Sequence, residues 1–107
     1  MVRRMPAAEF LVLLKRECET CQMVGPVLAG LKARAPLTLW SQDDPGFPAE
    51  TGGALDDRSL EQSWKHKVEI VPTLIRVEGG REVARTEGWN RADWARLTGI
   101  ADIGKDL

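Results

Sequence analysis

The sequence predicts an α/β fold in which a mixed central sheet carries helices on both of its faces. An apolar run, a helical segment and a short second strand follow one another at the start, which implies a parallel pair joined by a right-handed crossover. Near the end, the turn Glu78-Gly79-Gly80-Arg81 separates two further strands and predicts an antiparallel hairpin. We assign residues 1–107 to a single domain, with its core at about residues 9–99.

The first half of the chain supplies a strand, a long helix and a second strand. Residues 10–15 predict a buried strand, because residues 10–14 are continuously apolar and Lys15 ends the run. From Glu19 to Ala35 apolar side chains recur at helical spacing, and Pro26 predicts a kink because it removes a helix hydrogen bond. Leu37 to Ser41 alternates and predicts a strand. Residues 42–57 predict a long loop, and loops of that length in small domains are usually functional or mobile.

The second half adds two helices and the hairpin. Ser59 to His66 predicts a short helix, with Ser59 as its N-cap and a glutamine three residues further on. Leu74 to Val77 and Glu82 to Thr86 predict the hairpin strands. Asn90 caps a final helix that runs to about Thr98. The acidic residues of the long loop lack the spacing of a calcium loop, so we interpret them as solvated: Asp43, Asp44, Asp56 and Asp57.

The segment Cys18-Glu19-Thr20-Cys21 holds the only two cysteines of the chain. It follows the first predicted strand and opens the first predicted helix, so Cys18 lies at the positive end of that helix and Cys21 one turn further in. Such a pair closes and reopens a small disulfide, which is redox chemistry. One alternative is a structural pair, and another is a zinc site. Zinc needs four ligands, so with His66 as the only histidine that site would have to be shared across a dimer.

Over residues 9–99 the chain resembles the thioredoxin family. The resemblance rests on the CxxC after a strand, Pro26 five residues beyond Cys21, and the ordered series Val71-Pro72-Thr73, Gly80 and Gly88. It implies a thioredoxin-like fold with a cis Val71–Pro72 bond, the alternative being a trans proline at the start of a strand. It also implies that the backbone of Val71 pairs with an incoming substrate, and that Val71, Pro72 and Thr73 position the substrate beside Cys18.

The four tryptophans receive different assignments. Trp40 and Trp64 are predicted to lie in the core, and Trp94 lies on the final helix. Trp89 directly follows Gly88 in the loop that the resemblance assigns to substrate contact, with core or rim packing as the alternative for its ring.

Three departures from the thioredoxin pattern bear on activity. Glu17 stands where the family has a tryptophan, and Glu19-Thr20 replaces the family's Gly-Pro between the cysteines. Val12 replaces the buried aspartate that is thought to assist proton transfer to the second cysteine. The resemblance therefore implies the fold more firmly than it implies the protein-reducing activity.

We interpret the chain as a thiol–disulfide oxidoreductase in which Cys18 attacks a disulfide and Cys21 resolves the mixed disulfide. The expected partners are protein or small disulfide substrates and an external reductant, with no organic cofactor and no metal. Glu17 and Glu19 flank Cys18 and disfavour its thiolate, which predicts a reductant. The alternative is a non-catalytic interaction domain or a redox sensor.

The amino-acid composition limits the classes of partner that we expect for this chain. The net charge of -1 comes from 15 basic and 16 acidic residues without a basic face, so neither nucleic acid nor a membrane surface is expected as a partner. The charged start Val2-Arg3-Arg4 is followed by Pro6 and Glu9, so no secretory signal is predicted. We expect a monomer in the cytoplasm, where a lone CxxC is more often catalytic than structural.

Overall fold

The computed structural model describes residues 8–107, so the charged start and Pro6 lie outside the described residues. Within them the sheet has five strands in the order β3-β2-β1-β4-β5. The strands are β1 (Ala8–Leu14), β2 (Leu37–Ser41), β3 (Leu55–Asp56), β4 (Thr73–Glu78) and β5 (Arg81–Glu87). The helices are α1 (Glu19–Met23), α2 (Gly25–Arg34), α3 (Glu61–Lys65) and α4 (Arg91–Thr98).

The central strand β1 pairs in parallel with β2 and antiparallel with β4, so the predicted mixed sheet of an α/β fold is confirmed. β3 adds a parallel edge to β2, and β5 adds an antiparallel edge to β4. Gly79 and Gly80, at φ 59° and 77°, make the β4–β5 turn, a conformation that glycine adopts without steric cost. The continuous apolar sequence of β1 follows from its central place in the sheet.

One face of the sheet packs against α2 and α4. The buried side chains of this core come from the inward positions of three strands, from the two helices and from the segments next to them: Phe10, Val12, Leu14, Cys21, Val24, Val27, Leu28, Leu31, Leu39, Leu74, Trp94, Leu97 and Ile103. Leu13 and Ile75 alternate with members of this core and are buried on the opposite face. None of the helices among residues 8–107 has the length and apolar character that crossing a membrane requires.

The helix predicted from Glu19 to Ala35 is divided in two. α1 ends at Met23 and α2 begins at Gly25, with Val24 between them. Pro26 therefore lies in the first turn of α2 and not in a helix interior. In the first turn its missing N–H costs no hydrogen bond, because the first N–H groups of a helix have no partner within it. In place of the predicted kink there is a break between two helices. Val24 connects them, because its N–H donates to the Thr20 carbonyl of α1 and its carbonyl accepts the N–H of Leu28 of α2.

The interpretation of residues 42–57 as a long loop with solvated acidic residues was wrong in part. A 3₁₀ turn at Ala49–Thr51 and the short strand β3 lie within the segment. Asp57 is only 1% exposed, and its carboxylate accepts the N–H groups of Gln62 and Ser63 and the hydroxyl of Ser63. Asp57 therefore satisfies the first turn of α3, and the N-cap position that we predicted for Ser59 belongs to Leu60.

Trp64 is 85% exposed, so its assignment to the core was wrong. Because α3 is a single short helix that buries Ser63, the next residue along it turns away from the sheet. Trp40 is half-buried on β2. Trp94 is fully buried on α4 and donates its indole N–H to the carbonyl of Gly88 at 3.0 Å.

The core continues beyond the boundary at residue 99. After α4 ends at the left-handed Gly99, the chain turns back, and Ile103 is buried at 6% exposure in the core described above. Arg91 holds this return by donating to the carbonyls of Ile103 and Ala101. The last residues are therefore part of the folded unit.

Replacing Ile103 with alanine should lower the free energy of unfolding by about 2–4 kcal/mol, because it removes buried methylene groups and leaves a cavity. Leu107→Ala is the matched control, since Leu107 is 54% exposed and its truncation should change stability by less than about 0.5 kcal/mol. Urea denaturation of both variants measures the difference. Equal losses for the two variants would contradict the place of Ile103 in the core.

Candidate functional site

Cys18 follows β1 after the short turn formed by residues 15–17, and it serves as the N-cap residue of α1. Its backbone is extended, with φ -157° and ψ 113°, and its Sγ accepts the N–H of Cys21 at 3.1 Å. The thiol thus takes the place that a serine or aspartate oxygen usually fills at a helix start. Cys18 is half-buried and both cysteines are free thiols, so the structure describes the dithiol state.

Cys21 lies one turn further along α1 and is fully buried. Burial raises the pKa of its thiol from the ordinary 9.0 to about 12, and the neighbouring Cys18 adds to the rise. The backbone and the ammonium of Lys15 act in the opposite direction without compensating. The two thiols are therefore unequal: one is accessible and hydrogen-bonded by an N–H, and the other is enclosed and held in its protonated form.

The loop before β4 lies against Cys18. The Val71–Pro72 peptide bond is cis, as predicted, and the Cys18 thiol donates to the Val71 carbonyl at 3.8 Å. The N–H of Val71 donates to no other protein atom in the described part of the chain. Thr73 turns its hydroxyl toward the carbonyl of Ile70 and thereby ties the loop to itself.

Gly88 joins the loop after β5 to this site. Its N–H donates to the Pro72 carbonyl at 2.7 Å, and its φ of 73° favours glycine. The ring of Trp89 packs edge-to-face on Trp94, with 5.0 Å between centroids, and lies beside Gly104. The structure thus brings Gly88 to Pro72 and packs Trp89 toward the C-terminal segment. Substrate contact by either residue stays a prediction.

Asp43 lies beside the site, although from the sequence we interpreted it only as a solvated loop acid. Its carboxylate accepts the backbone N–H of Arg16 at 2.8 Å and of Glu17 at 3.0 Å, the two residues directly before Cys18. The register of β1 with β2 could have revealed it. Leu14 pairs with Ser41 at the end of the two strands, and two residues beyond that pair the N–H of Arg16 meets Asp43.

His66 takes no part in the site. Its carbonyl accepts a hydrogen bond from Arg85, and burial together with the charges of Lys65 and Arg85 lowers the pKa of its imidazole. Across residues 8–107, no group of three or more His, Cys, Asp or Glu side chains is arranged to hold a metal ion. A zinc site built from one copy of this part of the chain therefore has no ligand set.

The arrangement defines a class: an α/β protein in which a CxxC pair follows the central strand and faces a cis-proline loop. The sequence matches no protein-family model and no curated protein. Solved structures match it over most of its length, and the chain is a CxxC protein with the thioredoxin fold.

Three thioredoxin structures illustrate the likeness. The reduced thioredoxin pre-protein of Schistosoma mansoni superposes with a TM-score of 0.66 at 15% identity, over 90% of this chain and 80% of that one. The thioredoxin of Fasciola hepatica gives 0.65 at 17% identity, over 89% and 81%. Oxidised thioredoxin O2 of Arabidopsis thaliana gives 0.61 at 21% identity, over 88% and 74%. Identities this low carry the fold alone.

Alkylation of the reduced protein near neutral pH should label Cys18 well before Cys21. Cys18 is accessible and receives an N–H, whereas burial keeps Cys21 protonated. Mass spectrometry of peptides after brief iodoacetamide treatment measures the order, with protein unfolded in urea as the control in which both thiols react. Faster labelling of Cys21 in the folded protein would overturn the assigned roles.

The reduced protein should lose stability at alkaline pH through Cys21. Its pKa is higher in the folded state than in the unfolded state, so the unfolded chain releases this proton first as the pH rises. The contribution is complete below about pH 9 and declines as the pH rises toward 12. Comparing unfolding free energies with those of Cys21→Ala from pH 7 to 10 isolates the effect. An identical slope in the variant would contradict it.

Proposed function

We propose that the protein is a thiol–disulfide oxidoreductase that works in the reducing direction. The observation that carries the proposal is the placement of the Cys18 thiol between the N–H of Cys21 and the carbonyl of Val71, with the buried Cys21 thiol one turn behind it. An accessible attacking sulfur, an enclosed resolving sulfur and an extended loop beside them suit disulfide exchange.

The reaction begins when the Cys18 thiolate attacks one sulfur of a substrate disulfide. A bond forms between Cys18 Sγ and that sulfur, the substrate S–S bond breaks, and the departing thiolate takes up a proton. Cys21 then loses its proton and attacks Cys18 Sγ, which closes the Cys18–Cys21 disulfide and releases the second substrate thiol. Two electrons pass from the dithiol to the substrate, and an external thiol reductant restores the dithiol.

The backbone of Val71 supports a role in substrate binding. Its N–H has no partner within residues 8–107, and its carbonyl lies against the Cys18 thiol. An extended substrate segment placed beside the disulfide could pair with both groups, in the manner of an added strand. Protein disulfides in extended segments, and small disulfides, are therefore the proposed substrates.

The charges around the attacking sulfur support the reducing direction. Glu17 and Glu19 are the sequence neighbours of Cys18, and the side chains of both are exposed. Negative charge beside a sulfur disfavours its thiolate and with it the reduced form, so the disulfide resists reduction. We propose a monomer that acts in the cytoplasm, where a reducing pool can restore the dithiol.

Reduction of insulin with dithiothreitol as the electron source tests the activity. Wild-type protein should accelerate precipitation of the insulin B chain, and Cys18→Ser should abolish the acceleration. Cys21→Ser should accumulate a mixed disulfide through Cys18, visible by mass spectrometry. Inertness of the wild-type protein, together with absence of the trapped species, would favour the non-catalytic binding or sensing domain.

The reduction potential of the Cys18–Cys21 pair should lie close to or below thioredoxin's value of about -270 mV. Glu17→Gln combined with Glu19→Gln should raise it, because two charges that oppose the thiolate are removed. Glu9→Gln is the control, since Glu9 is exposed near the opposite end of β1. Equilibration with dithiothreitol redox buffers measures all three proteins. A wild-type potential near -120 mV would indicate an oxidant instead.

A further inference from the structure

The short turn between β1 and α1 is held by one carboxylate from the neighbouring strand end. Asp43 accepts the N–H of Arg16 through one oxygen, at 2.8 Å, and the N–H of Glu17 through the other, at 3.0 Å. Both donors belong to the two residues directly before Cys18. Charge-assisted hydrogen bonds of this kind are shorter and stronger than neutral ones.

Asp43 is itself fixed by a buried neighbour. The hydroxyl of Ser41, which is fully buried, donates to Asp43 at 3.3 Å and accepts the N–H of Asp44 at 3.1 Å. Burial opposes ionisation of Asp43, but the hydrogen bonds from Arg16, Glu17 and Ser41 outweigh it and lower the pKa of the carboxyl group. Asp43 therefore carries a full negative charge at neutral pH.

The carbonyl side of the same turn is also occupied. The Arg16 carbonyl accepts the side-chain amide of Gln22 at 2.7 Å and the N–H of Cys18 at 2.8 Å. The N–H groups of Arg16 and Glu17 and the carbonyl of Arg16 therefore all form hydrogen bonds with groups other than the Cys18 sulfur. The N–H of Cys21 is the backbone donor that the sulfur does receive.

We propose that Asp43 is a positioning residue that sets the redox balance of the CxxC pair. It holds the N–H groups of Arg16 and Glu17 away from the Cys18 thiolate, and it places a fixed negative charge next to the turn that carries Cys18. Both effects withhold stabilisation from the thiolate, so they favour the disulfide and make the dithiol a stronger reductant. This inference rests on the proposed redox function of the pair and extends it to a residue outside the motif.

Asp43→Asn tests the proposal because the amide has nearly the same shape but no charge. Its one oxygen accepts a single N–H, and its NH₂ group cannot accept the other. The variant should stabilise the reduced form by about tenfold relative to the disulfide, which equals a rise of about 30 mV for this two-electron couple. Equilibration with dithiothreitol redox buffers gives the potential, and the rate of Cys18 alkylation as a function of pH reports the thiolate directly.

Asp44→Asn is the matched control. Asp44 is the next residue along, but within residues 8–107 its carboxylate makes only an exposed ion pair with Arg16 and a local bond to the Gly46 N–H. Its loss should change the equilibrium less than twofold. Asp43→Glu keeps the charge and both acceptor oxygens, and it should remain closer to the wild-type potential than Asp43→Asn does.

An unchanged potential and an unchanged alkylation profile in folded Asp43→Asn would overturn the inference, and so would an equal shift in Asp44→Asn. If Asp43→Asn does not fold, Asp43→Ser replaces it. Its hydroxyl oxygen can accept one N–H but carries no charge, so this variant should shift the potential in the same direction as Asp43→Asn; no shift would overturn the inference. Failure of the proposed function would look different. The wild-type protein would not reduce insulin, but the reduction potentials of the wild type and the variants could still be measured and compared.

Discussion

The end of β1 fixes every part of the site, because this strand pairs on both sides up to its last residues. On one side Leu14 pairs with Ser41, and on the other Leu13 pairs with Thr73. The parallel neighbour brings Asp43 to the turn before Cys18, and the antiparallel neighbour brings the Val71–Pro72 bond to the sulfur itself. A slip of one residue in either register would exchange the two faces of a strand and would separate these groups. The apolar run of β1, which makes such a slip costly, is thus the reason that the site is assembled.

Local sequence features predicted the elements whose causes are local. The CxxC at a strand end, the Gly-Gly hairpin and the Asn90 cap each depend on residues within a few positions, and each is where the sequence placed it. The break at Pro26 was recognised as a distortion, but the sequence did not show that it would separate two helices.

Features that depend on distant partners were missed. In the sequence Asp57 cannot be distinguished from other acidic loop residues, but in the structure it is buried beneath the start of α3. Trp64 has the composition of a core residue, but its position on the short helix leaves it exposed. Ile103 follows a helix end and is buried only because the chain returns over α2. Asp43 gains its role from a strand register, which composition does not encode. In each case the deciding contact joins segments that no short window of sequence contains.

In the proposed reaction the buried Cys21 thiol has to lose its proton. The resemblance places an acidic residue at position 12 for this step, but this chain has Val12 there, which is fully buried. In the dithiol state Cys18 contributes to the raised pKa of Cys21, both through its side chain and through its charge, while Lys15 acts to lower it. In the proposed reaction, Cys18 bonded to a substrate sulfur would carry no thiolate charge, so its contribution to the raised pKa of Cys21 would be removed. Burial, the largest cause of the rise, would remain, and so would the opposing effect of Lys15. The mixed disulfide would therefore lower the pKa of Cys21 relative to the dithiol state, which would assist the proposed attack of Cys21 without an acidic residue at position 12.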